Sequence, residues 1–238
     1  MVFLRVGAAM ALLPAFGEHT IPVRIRLGLA LAFTATVLPA VSESVATVSV
    51  SPTGVARALA TETISGLAVG IVLRLMVLAL ETAGAIAAQS SSLSQLLGAG
   101  GEPMPAISHL LVAGGLTLAV TAGLHVRLAE VLILSYDVLP AGAFPDAGVI
   151  RNWGIGHVSR GFALAFSLAA PFVIAAFIYN IALGVINRAM PQLMVAFVGA
   201  PALTIGALAL LAVAAPLGLA VWSTALTDLL ADPFGAPR

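Results

Sequence analysis

A charged and polar group of residues interrupts a long apolar stretch of this sequence between positions 180 and 201. The run reads NIALGVINRAMPQLMVAFVGAP; Asn180 opens it, and Arg188, Pro191 and Gln192 stand in its middle. A guanidinium at the centre of a membrane helix costs about 2.5–3.5 kcal/mol on insertion scales, so Arg188 needs a partner or a wet cavity. Pro191 lacks a backbone donor and breaks or kinks a helix. The pattern therefore predicts two hydrophobic arms joined by a polar break, which could line a transport site or contact other chains.

A second charged pair lies inside another apolar run, GLAVGIVLRLMVLALETAGAIAAQ. Arg74 and Glu81 are seven positions apart and so fall near the same face of a helix. An ion pair, within the chain or between chains, would explain why both charges are tolerated there. The alternative is an arginine at the edge of the bundle whose charged end reaches the water layer.

Two glycines in the same run suggest a helix contact. Gly66 and Gly70 are four positions apart, the small-xxx-small spacing that lets two helix backbones approach closely in lipid. Chance is the alternative explanation, because the chain holds 23 glycines. We expect these two residues to pack against another helix.

The residue types that enzymes and metal sites need are missing or scattered. The chain has no lysine and no cysteine, which excludes a Walker-type phosphate site, a lysine Schiff base and thiolate chemistry. Its four histidines have no metal-site spacing, and no Gly-x-Ser-x-Gly motif occurs. We therefore expect no enzyme activity, no cofactor and no metal. Ten basic and ten acidic residues balance, which leaves no basic face for nucleic acid.

Composition places the chain in a membrane. It is 61% hydrophobic and only 8% charged, whereas soluble domains carry roughly 25% charged residues. The arginines are spread too evenly over the connecting segments to fix an orientation, so topology stays open. The sequence predicts an all-α membrane protein of about five to six apolar helices, some of them broken by proline.

The expected helices follow from the apolar runs. Phe3 to Phe16 is about 14 residues long, short of the roughly 20 that cross a bilayer, so it is re-entrant or lacks preceding residues. Leu27 to Val41 is a second apolar arm, ended by Pro39 and the polar stretch from Ser42 to Thr53. Ala106 to Leu124 is a clean span of about 19 residues. A long helix is expected over Gly54 to Gln89, followed later by a polar connection over Asp137 to Gly156. Two long apolar helices contain prolines: Phe162 to Ile186, interrupted by Pro171, and Leu193 to Val221, with Pro201 and Pro216. The tail, TDLLADPFGAPR, is expected to be exposed.

The segment SSSLSQLLGAGGEPMP, from Ser90 to Pro105, has the strongest loop composition in the chain. Its glycines and prolines exclude a regular helix or strand. No Gly-Lys-Ser/Thr follows, so it is not a phosphate-binding loop. It is either a plain connection or, given its small and uncharged residues, a segment packed inside a protein assembly.

Three groups of residues carry a resemblance that covers nearly the whole chain. The first contains Arg5, Pro14, Phe16, Gly17, Ile21, Pro22, Arg24 and Arg26. The second contains Gly66, Gly70, Arg74, Ala83, Gly84, Ile86 and Gln89, followed by the Gly/Pro loop. The third and most specific contains Asn180, Leu183, Gly184, the run RAMPQL from Arg188 to Leu193, then Phe197, Gly199 and Pro201. In these residues the sequence resembles the FliR family of flagellar biosynthesis proteins, which has counterparts in virulence type III secretion.

This resemblance implies a single FliR-like membrane domain over residues 1–238, with helical hairpins arranged in a helical export gate in the bacterial inner membrane. The implied partners are FliP-like and FliQ-like subunits, an FlhB-like switch protein and the unfolded flagellar subunits that are exported. By position, the loop corresponds to a plug that seals the closed pore: Leu93, Gly98, Gly100, Gly101, Glu102, Pro103, Met104 and Pro105. The polar residues Arg74, Glu81, Asn180, Arg188, Pro191 and Gln192 would then contact partner subunits.

Two other functions stay open at this point. The chain could be the equivalent subunit of a virulence secretion system, which has the same architecture. It could also be a stand-alone small-solute transporter, which would move substrate without other chains. The second alternative is the weaker one, because the sequence shows no internal repeat and Glu81 is its one deep carboxylate candidate.

Overall fold

The chain folds as a set of apolar helices. The structure, a computed structural model, describes residues 1–13, 21–46, 51–91, 106–190 and 195–235. Within these ranges it contains seven helices and no strand. They are α1 (Val2–Leu12), α2 (Val23–Ala46), α3 (Pro52–Ser91), α4 (Ala106–Thr121), α5 (Leu124–Val138), α6 (Ala147–Ala189) and α7 (Val195–Ala231).

Several of these helices can cross a bilayer. Among the described residues, α2, α3, α6 and α7 are long and apolar enough to do so, and the bent pair of α4 and α5 makes a possible fifth span. The short helix α1 has only 11 residues, below the length that a straight span needs. These features confirm the all-α membrane protein expected from the sequence, with four or five candidate spans.

The prediction that the second arm ends at Pro39 is wrong. Helix α2 continues through Pro39 to Ala46, and α6 likewise continues through Pro171. A proline inside a membrane helix removes one backbone hydrogen bond, and hydroxyl side chains nearby can satisfy the carbonyl groups that this exposes. The Ser42 hydroxyl donates to the Pro39 carbonyl oxygen at 3.1 Å, but the carbonyl that loses its N–H donor is that of Ala35, four positions before the proline. The helix persists through Pro39 in spite of this lost bond, where sequence rules for soluble proteins would end it.

The prediction of one clean span over Ala106 to Leu124 is also wrong, because the helix ends before Leu124 and the chain bends there. Helix α4 ends at Thr121, and α5 begins at Leu124 after a bend of 75°. Gly123 makes this bend possible, since its φ of +85° lies in the left-handed region that side chains disfavour. The two short helices thus replace one straight span.

The polar connection is shorter than expected and the tail is only partly exposed, so both predictions need correction. In the tail, Thr227, Asp228, Ala231 and Asp232 are exposed, whereas Leu229 and Leu230 are buried. Helix α6 already begins at Ala147, because the Asp146 carboxylate caps it by accepting the Val149 N–H at 2.9 Å. After α7, Pro233 is buried, and its carbonyl oxygen accepts a hydrogen bond from Trp153 Nε1 at 3.0 Å. The Phe234 ring stacks on Trp153 with centroids 6.2 Å apart. The apolar residues of the tail therefore pack on the start of α6.

The chain divides into two compact units. One comprises Met1–Val77, Leu116–Gly161 and Ala225–Arg238, and the other comprises Leu78–Gly115 and Phe162–Thr224. The core of the first unit includes Val6, Met10, Val37, Val69, Leu73, Leu128 and Leu132. The core of the second includes Leu80, Ala83, Ala87, Leu111, Ala165, Ala169 and Trp222.

Candidate functional site

A fully buried ion pair lies in the first unit, where α1 and α3 meet. Arg5 of α1 and Glu62 of α3 both have no solvent exposure. The pair is bidentate: Arg5 Nη2 donates to Glu62 Oε1 at 2.8 Å, and Arg5 Nε donates to Glu62 Oε2 at 3.0 Å. This fork-to-carboxylate geometry is the strongest that an arginine can make with a single acid.

Helix α5 completes the shell around this pair. Arg5 Nη1 donates to the Ser135 hydroxyl oxygen at 3.1 Å, and Nη2 donates to the Leu139 carbonyl oxygen, just after α5, at 2.8 Å. The Tyr136 hydroxyl donates to Glu62 Oε2 at 2.7 Å, while its ring lies 3.6 Å from the Arg5 guanidinium carbon in a cation–π contact. The polar cluster formed by Arg5, Glu62, Ser135, Tyr136 and the Leu139 carbonyl therefore joins three helices.

The polar cluster can hold helices together, but it offers no accessible reactive group. Burying two charges is expensive unless their attraction and additional hydrogen bonds offset the lost hydration. Here each charged group finds its counter-charge and further hydrogen bonds within the protein, as the distances above show. Removing either partner would leave an unpaired buried charge, which typically destabilises a protein by about 3–5 kcal/mol. We therefore interpret the cluster as a structural clamp of the first unit.

Two glycines let α1 cross α3 beside the cluster. A Cβ atom on Gly66 would collide with the Arg5 carbonyl oxygen, and one on Gly70 would lie 2.8 Å from the Ala9 carbonyl oxygen. Real Cβ contacts with backbone atoms are essentially never this short, so both positions need glycine for this crossing. The crossing places Arg5 at the depth of Glu62, one helical turn before Gly66.

The second unit has a close crossing of its own, between α3 and α4. A Cβ on Gly84 would lie 2.6 Å from both the backbone nitrogen and the hydroxyl oxygen of Ser108. The Ser108 hydroxyl donates to the Glu81 carbonyl oxygen at 2.8 Å. A small residue and an interhelical hydrogen bond thus stabilise this contact, as membrane helices often require.

The predicted polar residues occupy different environments. Arg74 and Glu81 are half-buried on α3, and their ion pair stays a prediction. Asn180 and Arg188 are exposed on the last turns of α6, and neither side chain forms a hydrogen bond or ion pair with the described part of the chain. Pro191 and Gln192 lie outside the described residues. So does the whole predicted plug, from Leu93 to Pro105.

Sequence reasoning missed the pairing of Arg5 with Glu62. The available signal was a charge in each of two apolar helices, which implies a buried partner for each. Spacing could not identify those partners, because Glu62 is 57 positions from Arg5 and Tyr136 is a further 74 positions away.

Taken together, the fold and the site define a multi-pass helical membrane protein whose buried charges are neutralised internally and whose later helices expose apolar and polar side chains. The sequence profile of "Bacterial export proteins, family 1" matches residues 1–229. The chain is 33% identical to the flagellar biosynthetic protein FliR of Caulobacter vibrioides over 233 residues, covering 97% of this chain and 93% of that protein. It is 29% identical to FliR of Escherichia coli over 221 residues, with coverages of 90% and 82%. Against FliR of Bacillus subtilis the identity is 25% over 207 residues, with coverages of 84% and 79%.

The chain belongs to this family of bacterial export proteins, the FliR family. It is therefore a multi-pass membrane component of the export apparatus for flagellum biosynthesis.

Proposed function

We propose that this protein is a core subunit of the flagellar type III protein export gate in the bacterial inner membrane. It would combine with FliP-like and FliQ-like subunits and an FlhB-like protein to form and seal a pore for unfolded flagellar subunits. In this role it is not an enzyme, since the export energy comes from other components. The flagellar names of its relatives support this system over the equivalent virulence system.

The single observation that carries the partner contacts is the surface at the end of α6. Large apolar side chains are exposed there, including Phe177 at 65% and Val185 at 63%. Lipid alone would accommodate them, but it would not accommodate the exposed amide of Asn180 or the charge of Arg188. Partner subunits could cover the exposed apolar side chains. They could also accept hydrogen bonds from the Asn180 amide and the Arg188 guanidinium.

An arginine series tests this contact. Arg188→Ala should reduce co-purification of the partner subunits, and Arg188→Lys should restore it only in part, because lysine lacks the planar donor fork. Arg151→Ala is a matched control, since Arg151 is exposed on the same helix but lies near its other end. Undiminished co-purification of the Arg188→Ala variant would contradict the proposal.

We further propose that the loop from Leu93 to Pro105 is the plug of the closed pore, as the resemblance implies. Deleting Gly98 to Glu102 from the assembled complex should then let ions or small solutes leak through the resting gate. Flux measurements on vesicles that contain the complete complex would detect this leak. An equally tight complex after the deletion would count against the plug.

A further inference from the structure

The end of the tail packs on the start of α6 through Trp153. The Trp153 indole donates from Nε1 to the Pro233 carbonyl oxygen at 3.0 Å. The Phe234 ring stacks on the same indole, with centroids 6.2 Å apart and an angle of 17° between the ring planes. One side chain therefore holds both residues, and we call Trp153, Pro233 and Phe234 the tail contact.

The tail contact closes a small apolar cavity where the end of α5 meets the start of α6. The cavity has a volume of about 50 Å³ and is lined by Val138, Leu139, Val149, Ile150, Trp153 and Phe234. Sites for small molecules are roughly 300–1,000 Å³, so this cavity is too small for a ligand of that kind. Phe234 therefore covers apolar surface of the protein itself. This surface adjoins the polar cluster, since the Leu139 carbonyl oxygen accepts a hydrogen bond from Arg5.

A buried histidine lies beside the tail contact. His157 is one helical turn after Trp153, is only 1% exposed, and meets the indole edge-on with ring centroids 4.9 Å apart. In the described part of the chain neither ring nitrogen forms a hydrogen bond, although the Pro233 carbonyl oxygen is nearby. Buried polar side chains are normally paired, so an unpaired imidazole at this place calls for an explanation.

The nearest charged residues along the two adjoining helices are positive. Arg160 follows His157 by three positions on α6, which places the two side chains on adjacent turns of the same face. Helix α3 packs on α6 close by, because a Cβ on Gly161 would lie 3.7 Å from the Leu75 Cβ, and Arg74 directly precedes Leu75. At this level neither helix offers a counter-charge for a protonated ring.

The acids of the neighbouring segments do not pair with His157 either. Asp137 near the end of α5, Asp228 on α7 and Asp232 just after it are all exposed, and none accepts a hydrogen bond from the ring. A protonated imidazole has two N–H donors, and with the tail in place both would be buried without a well-aligned acceptor. The tail contact is therefore compatible with a neutral ring and unfavourable for a charged one.

The start of α6 lies where protons can reach it. The helix has 43 residues, about 65 Å at 1.5 Å per residue, which is twice the roughly 30 Å of a hydrocarbon core. Its apolar run starts at Phe162, whereas Arg151 and Arg160 stand before that point. The part of α6 that carries Trp153 and His157 therefore projects beyond the core.

We propose that the tail contact is a pH-sensitive latch, which stays closed while His157 is neutral and opens when the ring takes up a proton. Opening lets the ring reach water and uncovers the apolar surface between α5 and α6. An imidazole in water has a pKa of about 6.5, so the open form gains its proton as the pH falls through that value and the closed form is disfavoured. The latch does not depend on the export-gate function.

Carboxypeptidase digestion of the purified full chain tests the latch, with intact-mass spectrometry to follow the removal of Phe234. The rate is divided by that of the His157→Phe variant at the same pH, so that the pH dependence of the protease cancels. Phenylalanine keeps an aromatic ring beside Trp153, takes up no proton and loses no hydrogen bond, because His157 forms none. If only the open form is cut, this ratio should rise about tenfold from pH 7.5 to pH 5.5.

Two further variants complete the test. His125→Gln is the matched control, since His125 is an exposed histidine on α5; this variant should show the same rise as the wild-type chain. His157→Gln is a second reference that takes up no proton, for use if the phenylalanine ring does not fit. A ratio that stays constant between pH 7.5 and pH 5.5 against either reference would overturn the latch, and so would loss of the rise in His125→Gln.

Discussion

Replacing Glu62 with alanine tests the polar cluster most sharply. The substitution removes the carboxylate that accepts hydrogen bonds from Arg5 Nε and Nη2 and from the Tyr136 hydroxyl. The Arg5 guanidinium would stay in place with no solvent exposure. Within the described part of the chain, only the Ser135 hydroxyl oxygen and the Leu139 carbonyl oxygen would still accept hydrogen bonds from it. The variant would thus leave the buried Arg5 guanidinium without its counter-charge.

The expected cost follows from this geometry. Removing one partner of a buried ion pair typically destabilises a protein by about 3–5 kcal/mol. Because native proteins are stable by only about 5–15 kcal/mol, the loss would be a large fraction of the total. The apolar double variant Arg5→Met with Glu62→Leu should recover much of it, since no charge would remain buried. The unpaired Tyr136 hydroxyl would keep the recovery incomplete.

The assay is reversible unfolding in mixed micelles, with denaturing detergent as the titrant and tryptophan fluorescence as the signal. Glu130→Ala is the matched control, because Glu130 forms an ion pair of 2.9 Å with Arg127 that is about half exposed on both sides. Such surface pairs contribute about 0–1 kcal/mol. If Glu62→Ala lowers the free energy of unfolding no more than Glu130→Ala does, the cluster is not a clamp.

Two further predictions concern other packing contacts. Gly66→Ala should destabilise the chain by about 1–3 kcal/mol, because the new Cβ would meet backbone atoms of Arg5, whereas Gly28→Ala should be neutral or slightly stabilising; the same unfolding assay compares them. Trp153→Phe should keep the aromatic contacts but lose the hydrogen bond to the Pro233 carbonyl, worth about 1 kcal/mol, so carboxypeptidase should trim the tail faster. Equal trimming of both proteins would contradict the second prediction.

The helices themselves follow well from the sequence, because long apolar runs have one stable form in a bilayer. Helix α3 has nearly the bounds that its pattern predicts, and α6 contains the predicted segment from Phe162 to Ile186. Helix α7 contains the described part of the predicted segment from Leu193 to Val221. The positions where helices end or bend are less predictable. Pro39 and Pro171 lie inside helices, whereas the bend between α4 and α5 falls at Gly123. Proline effects depend on whether neighbouring groups satisfy the freed carbonyls, which a linear pattern does not contain.

The contacts between helices are harder to predict than the helices. The spacing of Gly66 and Gly70 indicates a close crossing, but it does not identify α1 as the helix that crosses there. The partners of Arg5 lie far along the chain, and their choice depends on the three-dimensional arrangement of α1, α3 and α5. Gly84 has a similarly close approach to Ser108, although no second glycine stands four positions away to form the pattern of Gly66 and Gly70.

We propose that this chain acts as a subunit of an export gate. The most direct measurement is co-expression of the tagged chain with its FliP-like and FliQ-like partners, followed by purification and native mass spectrometry. The proposed function predicts a stable complex of all three proteins in which this chain is present once. A chain that elutes alone, in a detergent that preserves the complex of the other two subunits, would contradict it.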